Sequence, residues 1–437
     1  MKTTICLWLG LVTSLATQLA IGGTLNLKLE PDRDYLLKGS PGEVVVKIDL
    51  GAAAARKHRE RPALNIVAVL DRSGSMAGAK IEKARQAAMD LVDQLVPGDT
   101  FSLITYSDHV EVLVPARSVE DKEELRNRIS RIHASGSTAL YAGVRAGAEQ
   151  LKHHLSSKRI NRIILLSDGL ANVGPSSPRE LRRLGQNLSE EGIAVTTIGL
   201  GDDYNEDLMA GLAEASDANY YYVKDTEKLP QIFAKELGEL LSVAAREVRI
   251  QITCPDGVRP IGLIGRPEQF RGQSTVVQFN QFLPEQDRCL FLRCKTSDGR
   301  TELVHVRVNY TDELNGGAEE AISGEVRIRY TEDRELAEKS IHPTVVAEKE
   351  LFASALAKDE AIADADAGKY QEASRKLSAQ AAALDQQYYN APAYLQQQLK
   401  SEAYNLRQQS EQLSNNQYSA GSRKSMQSES FNTRNSK

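Results

Sequence analysis

Little in this 437-residue chain points to chemistry by sulfur, by stacked aromatic rings or by bulk charge. There are four cysteines, and Cys6 lies in an apolar N-terminal stretch, leaving Cys254, Cys289 and Cys294. No Cys-x-x-Cys occurs, so no zinc site is indicated. Cys289 and Cys294 are five apart in an apparent strand, which sends their side chains to opposite faces and keeps them from pairing together. Cys254 joined to either one, or three reduced thiols in a core, both stay open. Aromatic residues make up 5% of the chain and are not interleaved with basic ones, while 54 basic residues stand against 59 acidic. Neither nucleic acid nor an anionic membrane surface is suggested. No Gly-rich loop ends in Gly-Lys-Ser/Thr, which excludes a nucleotide motor of that type, and no His-Glu-x-x-His occurs among the seven histidines. His153-His154 falls on a polar helix face, and His109 and His133 are isolated, as surface or packing histidines are.

What is present begins at the N-terminus. Lys2 precedes an apolar segment from Ile5 to Ala20, and no acid appears before Glu30. A positive start followed by an apolar run is the pattern of a secretory signal, read here over residues 1–22. An uncleaved anchor is the alternative, because the segment approaches bilayer-spanning length. Both predict an exported protein of the periplasm, envelope or exterior, with membrane association only if the segment is retained.

The most informative stretch is Asn65-Ile66-Val67-Ala68-Val69-Leu70-Asp71-Arg72-Ser73-Gly74-Ser75-Met76. Its apolar run is Val- and Ile-rich and short, the pattern of a parallel strand buried on both faces. Ligand sites of open parallel sheets lie beyond the carboxyl ends of the strands, so Asp71, Ser73 and Ser75 can project into one crevice. Hard oxygen donors without sulfur or imidazole suit a hard divalent cation such as Mg²⁺. Asp71, Ser73 and Ser75 resemble the Asp-x-Ser-x-Ser signature of von Willebrand factor A domains and their metal-ion-dependent adhesion site. The remaining pieces of that signature follow in order: Thr138 in Ser135-Gly136-Ser137-Thr138, and Asp168 after Ile163-Ile164-Leu165-Leu166-Ser167.

The resemblance implies a metal set of Asp71, Ser73, Ser75, Thr138 and Asp168. In it Ser73 and Ser75 ligate Mg²⁺ directly, Thr138 directly or through water, and the two acids largely through water; Mn²⁺ or Ca²⁺ are the alternatives. With neutral hydroxyls nearest the ion, its charge is only weakly offset, and a position is left for a strong anionic donor. A protein partner's Asp or Glu carboxylate is the natural occupant. Gly74 and Gly136 would let the backbone turn tightly around the ion.

The remaining pattern predicts an α/β, doubly wound Rossmann-like domain inserted into a β-sandwich and followed by helices. Residues 62–245 alternate strand and helix. Residues 24–61 carry two strands, too few for a stable sheet alone, and 246–335 carry short alternating strands of sandwich type. The two orphan strands are therefore expected to join the later ones. Residues 341–413 read as three helices, and 414–437, a Ser/Asn/Gln/Arg tail with isolated Met426 and Phe431, as disordered. The acidic phrase Gly199 to Asp207 does not fit a calcium loop and reads as a polar cap on the helix from Glu206.

Two functions follow from different classes. One is an exported adhesion or protein-interaction protein acting through the metal site. The other is an envelope assembly scaffold binding mainly through its C-terminal helices. A hydrolase is the weaker third, since neither Ser73 nor Ser75 lies in Gly-x-Ser-x-Gly.

Overall fold

The computed structural model describes residues 18–39, 42–54, 61–266, 268–297 and 299–435. The described residues begin with β1 (Gln18–Gly22), β2 (Leu25–Pro31), β3 (Tyr35–Leu37) and β4 (Gly42–Ala52). The stretch read as a leader therefore divides. Residues 1–17 lie outside the described ones, and the last five form a strand antiparallel to β2. Gly22 pairs with Leu25 across Gly23-Thr24, and Gly23 takes φ +59, the left-handed backbone a two-residue hairpin needs. An apolar composition does not distinguish such an edge strand from the end of a signal.

The inserted domain follows: β5 (Ala63–Asp71), α1 (Ala79–Gln94), β6 (Thr100–Tyr106), β7 (Val110–Ser118), α2 (Lys122–Ser130), α3 (Leu140–Lys152), β8 (Arg159–Ser167), α4 (Pro178–Glu190), β9 (Ala194–Leu200), α5 (Glu206–Ala215), β10 (Tyr220–Val223) and α6 (Leu229–Leu241). Its sheet runs β10-β9-β8-β5-β6-β7, parallel except for the β6–β7 pair. Strand β5 is central and apolar on both faces. Leu64, Ile66, Ala68 and Leu70 pack with α1 and α6, while Val67 and Val69 face α3. The continuous apolar run is thus the consequence of having helices on both sides.

The sandwich resumes with β11 (Ala245–Thr253), β12 (Val258–Leu263), β13 (Ser274–Phe282), β14 (Asp287–Thr296), β15 (Glu302–Asp312), β16 (Ala318–Arg327) and β17 (Arg329–Thr331). One sheet has the order β1-β2-β4-β14-β12 and the other β13-β11-β15-β16, with β17 paired to β3. The early strands do find their partner: β4 pairs with β14 along its length, Ile48 opposite Leu290. Both sheets share one core, in which Leu27, Val46 and Ile48 meet Ile250, Val277 and Val306. Cys254 and Cys294 are free thiols; burial pushes Cys254 up to about 11 and Cys294 up to about 12.

After α7 (Arg334–Lys339) come three long helices, α8 (Pro343–Asp366), α9 (Tyr370–Tyr388) and α10 (Ala393–Ser414), packed around Leu377, Leu384, Leu399 and Leu406. The tail expected to be disordered is instead mostly helical: α11 spans Ala420–Arg434, with Ser419 accepting from the Ser422 N–H as its N-cap. It buries Lys424, Met426, Ser430 and Phe431. Met426 enters the helical core, and Phe431 enters the inserted domain, edge-on to Tyr220 at 5.6 Å. Arg423 bridges Glu206 (2.6 Å) and Asp207 (2.8 Å) of α5 to Asp366 (2.6 Å) of α8. Lys424 meets the second Glu206 oxygen at 2.6 Å over the Tyr204 ring. Composition misled because it counts only the segment's own apolar area, whereas the ordering comes from charges supplied by two other domains.

Lys424 and Glu206 are both almost wholly buried, and a buried pair that loses one member leaves an uncompensated charge. Glu206→Ala is expected to lower unfolding stability by about 3 kcal/mol in urea denaturation. It should also raise amide hydrogen exchange across residues 420–434.

Candidate metal and partner-binding site

Three loops meet at the carboxyl end of the inserted sheet. The first follows β5 and carries Arg72 to Gly78; the second precedes α3 and carries Ser135 to Ala139; the third leaves β8 at Asp168-Gly169. The backbone ties the first two together: the Gly74 N–H donates to Gly136 O at 2.9 Å and the Ser135 N–H to Arg72 O at 2.6 Å. Gly136 is held to glycine twice over. Its φ is +82, and a Cβ there would collide with the Asp108 carboxylate, which accepts the Ser137 N–H at 3.0 Å.

All five residues singled out in the sequence lie at this rim. Asp71 is fully buried; its Oδ1 accepts the Ser73 N–H at 2.8 Å and its Oδ2 the Ser167 hydroxyl at 2.9 Å. The Ser73 and Ser75 hydroxyls share a hydrogen bond of 3.0 Å, and Ser75 Oγ donates to Asp168 Oδ1 at 2.7 Å. Thr138 is anchored through its backbone, its N–H donating to Asn172 Oδ1 at 2.8 Å. A Cβ placed on Gly169 would lie 3.4 Å from Thr138 Oγ1 and 3.5 Å from Ser75 Oγ. Glycine at that position therefore leaves a space that two hydroxyls border, with both carboxylates buried beside it.

Three participants were not anticipated. Ser167 fixes Asp71, and Asn172 fixes Thr138. Lys80 places Nζ 2.6 Å from Asp168 Oδ2. A signal for Lys80 was available: it sits in the first turn of α1, where the helix dipole disfavours a cation unless an acid faces it. Burial raises the Asp71 carboxyl to about 6 against the pull of its Ser73 and Ser167 hydrogen bonds, with the Asp168 charge adding to the rise.

The hydroxyls of Ser73 and Ser75 bond to each other and to a carboxylate, and none of the hydrogen bonds among the described residues links either to a histidine. The carboxylate that Ser75 faces carries the Lys80 ammonium on its other oxygen, so the rim presents hydroxyls and acids, a donor set suited to holding a hard cation. A second group of potential metal donors, Glu302, His305 and Glu325, lies on β15 and β16 with ligand atoms within 4.8 Å of one another. An irregularity between Glu302 and Val304 lets residues three apart share a side of the strand. Linear spacing therefore concealed that cluster, which could hold a divalent ion at the sandwich surface.

Comparison with known proteins agrees with this layout. Residues 65–235 match the von Willebrand factor type A domain model. Protein YfbK of Escherichia coli (strain K12) is 30% identical over 210 residues, 48% of this chain and 36% of that protein. Protein sll0103 of Synechocystis is 25% identical over 279 residues, 61% of this chain and 66% of that one. The chain thus aligns with about a third and just under two thirds of these relatives' lengths. Among solved structures, a von Willebrand factor type A protein from Catenulispora acidiphila superposes with a TM-score of 0.69 at 18% identity, covering 85% of this chain and 90% of that one. The ArnB paralog VWA2 from Sulfolobus acidocaldarius gives 0.61 at 21% identity, covering 89% and 98%. The chain contains a von Willebrand factor type A domain, in a fold shared with bacterial and archaeal proteins.

A carboxyl whose folded pKa is raised is stabilised while protonated, and that stability is lost as pH rises through about 6. In chelator, the Asp71 contribution to unfolding stability should therefore fall by up to about 3 kcal/mol as pH goes from about 4 to 7.5. Asp71→Asn should remove most of that slope, as urea denaturation across this pH range would show.

Proposed function

We propose that this protein, through its von Willebrand factor type A domain, binds a divalent cation, Mg²⁺ first and Mn²⁺ or Ca²⁺ as alternatives, and uses it to engage an acidic group of a protein partner. The observation that carries this reading is the space over Gly169, bordered by the hydroxyls of Ser75 and Thr138, with the Ser73 hydroxyl 3.0 Å from that of Ser75. Ser73, Ser75 and Thr138 would hold the ion, and Asp71 and Asp168 would orient ligands from behind them. The donor set is all oxygen, as a hard cation requires. When bound, the ion supplies a Lewis-acidic position that an Asp or Glu side chain of the partner can fill. Asp71 keeps Ser73 turned into the site through its hydrogen bond to the Ser73 N–H. Asp168 does the same for Ser75 and carries the neutralising charge of Lys80 on its other oxygen.

The apolar N-terminal segment, Ile5 to Ala20, supports an exported setting, in the periplasm, envelope or exterior. No helix among the described residues is long and apolar enough to cross a membrane.

A second reading has its own support. Tyr389, Tyr394 and Tyr404 are 87%, 63% and 61% exposed on and beside α9 and α10, and exposed tyrosines are favoured at protein contacts. In that reading the helices bind an envelope partner and the metal site is accessory.

Calorimetric titration of Mg²⁺, Mn²⁺ and Ca²⁺ into the full chain carrying Glu302→Gln/His305→Ala/Glu325→Gln, which removes the second donor cluster, is expected to give one saturable site. Ser75→Ala should weaken it at least about tenfold and Thr138→Ala similarly, with melting curves checking that both variants fold. No heat from any of the three ions would sink the proposal. Partner capture lost in Ser75→Ala but kept in Tyr389→Ala/Tyr404→Ala supports the metal reading, and the reverse supports the helical one.

A further inference from the structure

Where α4 of the inserted domain faces β11 and β13 of the sandwich, a groove of about 1200 Å³ runs between the two domains. Arg179 and Arg183 are exposed one turn apart on the α4 wall, and Arg249 and Arg271 are exposed on the sandwich wall. None of these four arginines makes an ion pair or side-chain hydrogen bond among the described residues. The neighbouring acids are already engaged: Glu214 by Arg182 at 3.2 Å and by Arg434, and Asp217 by Arg288 at 2.9 Å. Only Glu190, at the end of α4, offsets the four guanidinium groups without a described partner of its own. In a chain of net charge −5, this is a local reversal of sign. Among the described residues, the basic ones lining the groove are all arginine, whose planar fork suits carboxylates, and no aromatic ring offers the stacking platform that single-stranded nucleic acid uses.

The floor of the groove adds a directional requirement. Among the described strands, β13 is an edge of its sheet. Its Asn280 N–H points away from β11 and donates to the carboxylate of Asp217. In an antiparallel ladder alternate residues point the same way, so the N–H groups of Gln278 and Val276 also face outward. No described residue accepts from either, and Val276 is 41% exposed. Asp217 thus occupies one end of an open edge in the manner of an incoming chain.

We propose that the groove takes an extended acidic segment of a partner protein, which adds as a strand along β13 and sets its carboxylates between the arginines of the two walls. A strand with acids at every second residue presents them on one face, which matches Arg179 and Arg183 on one side of the groove and Arg249 on the other. This binding needs no metal ion and is separate from the carboxylate contact at the rim.

The test is fluorescence anisotropy with a labelled twelve-residue peptide carrying Glu at alternate positions, added to the full chain in chelator. Saturable binding is expected, unchanged by Ser75→Ala. Arg179→Glu/Arg183→Glu and Arg249→Glu/Arg271→Glu should each weaken it at least about tenfold. Val276→Pro removes an outward N–H on an edge strand that tolerates proline, and should weaken it too. All these positions are exposed, and a melting curve for each variant checks its fold. Absence of binding, or binding indifferent to the arginine reversals, would overturn the proposal. Indifference to Val276→Pro would overturn the strand addition. A polyuronate or a twelve-nucleotide thymidine oligomer binding as tightly as the peptide would overturn the choice of ligand.

Discussion

Carboxylates are costly to bury, and the three loops at the sheet rim are arranged around two of them, Asp71 and Asp168. Asp71 ends the central strand, where helices on both faces exclude water. Its two oxygens are answered by the N–H of the loop that follows it and by the hydroxyl at the end of the neighbouring strand. Asp168 is answered by Ser75 and Lys80, both from the segment after β5. The same hydrogen bonds that make burial tolerable also aim hydroxyls at one space. Removing either acid would therefore disturb the position of its partners as well as a charge, and that is why site and scaffold cannot be separated here.

How much of this could be read from the residues depends on the range of the interactions involved. The run Ile66 to Leu70 announces a doubly covered strand because burial on both faces leaves its mark within a few residues. Asp71, Ser73, Ser75, Thr138 and Asp168 were singled out through their resemblance to a known signature, whose pieces fall in the short loops at or just past strand ends or ahead of a helix. The pairing of β4 with β14 was inferable only indirectly, from the need of two early strands for partners. The helix α11 was not legible at all. Its order comes from Glu206, Asp207, Glu214 and Asp366, acids far away in sequence that look like ordinary solvated charges. Glu302, His305 and Glu325 escaped notice because an irregular strand register brings them together, and register leaves no trace in composition.

The acidic phrase Gly199 to Asp207 shows both sides of this. Its local role as a helix cap holds, with Asn205 accepting the Leu208 N–H. Its second role, as the counter-charge for Arg423 and Lys424, depends on a helix that propensity alone would not form. Through that contact the inserted domain, the helical core and α11 share a single electrostatic junction, with Arg423 touching residues of two of these units at once.

The insertion itself has a kinetic corollary. Ile48 and Leu290 stand opposite each other in one sheet, with the whole inserted domain between them in the chain. Bringing such distant segments together from an unstructured chain is entropically unfavourable and slow. Collapse of the inserted domain first would shorten the effective loop between the sandwich halves. The topology therefore favours an order of assembly in which the parallel sheet forms first and the β4–β14 seam afterwards. The seam, in turn, should be among the first parts to come undone when the inserted domain melts.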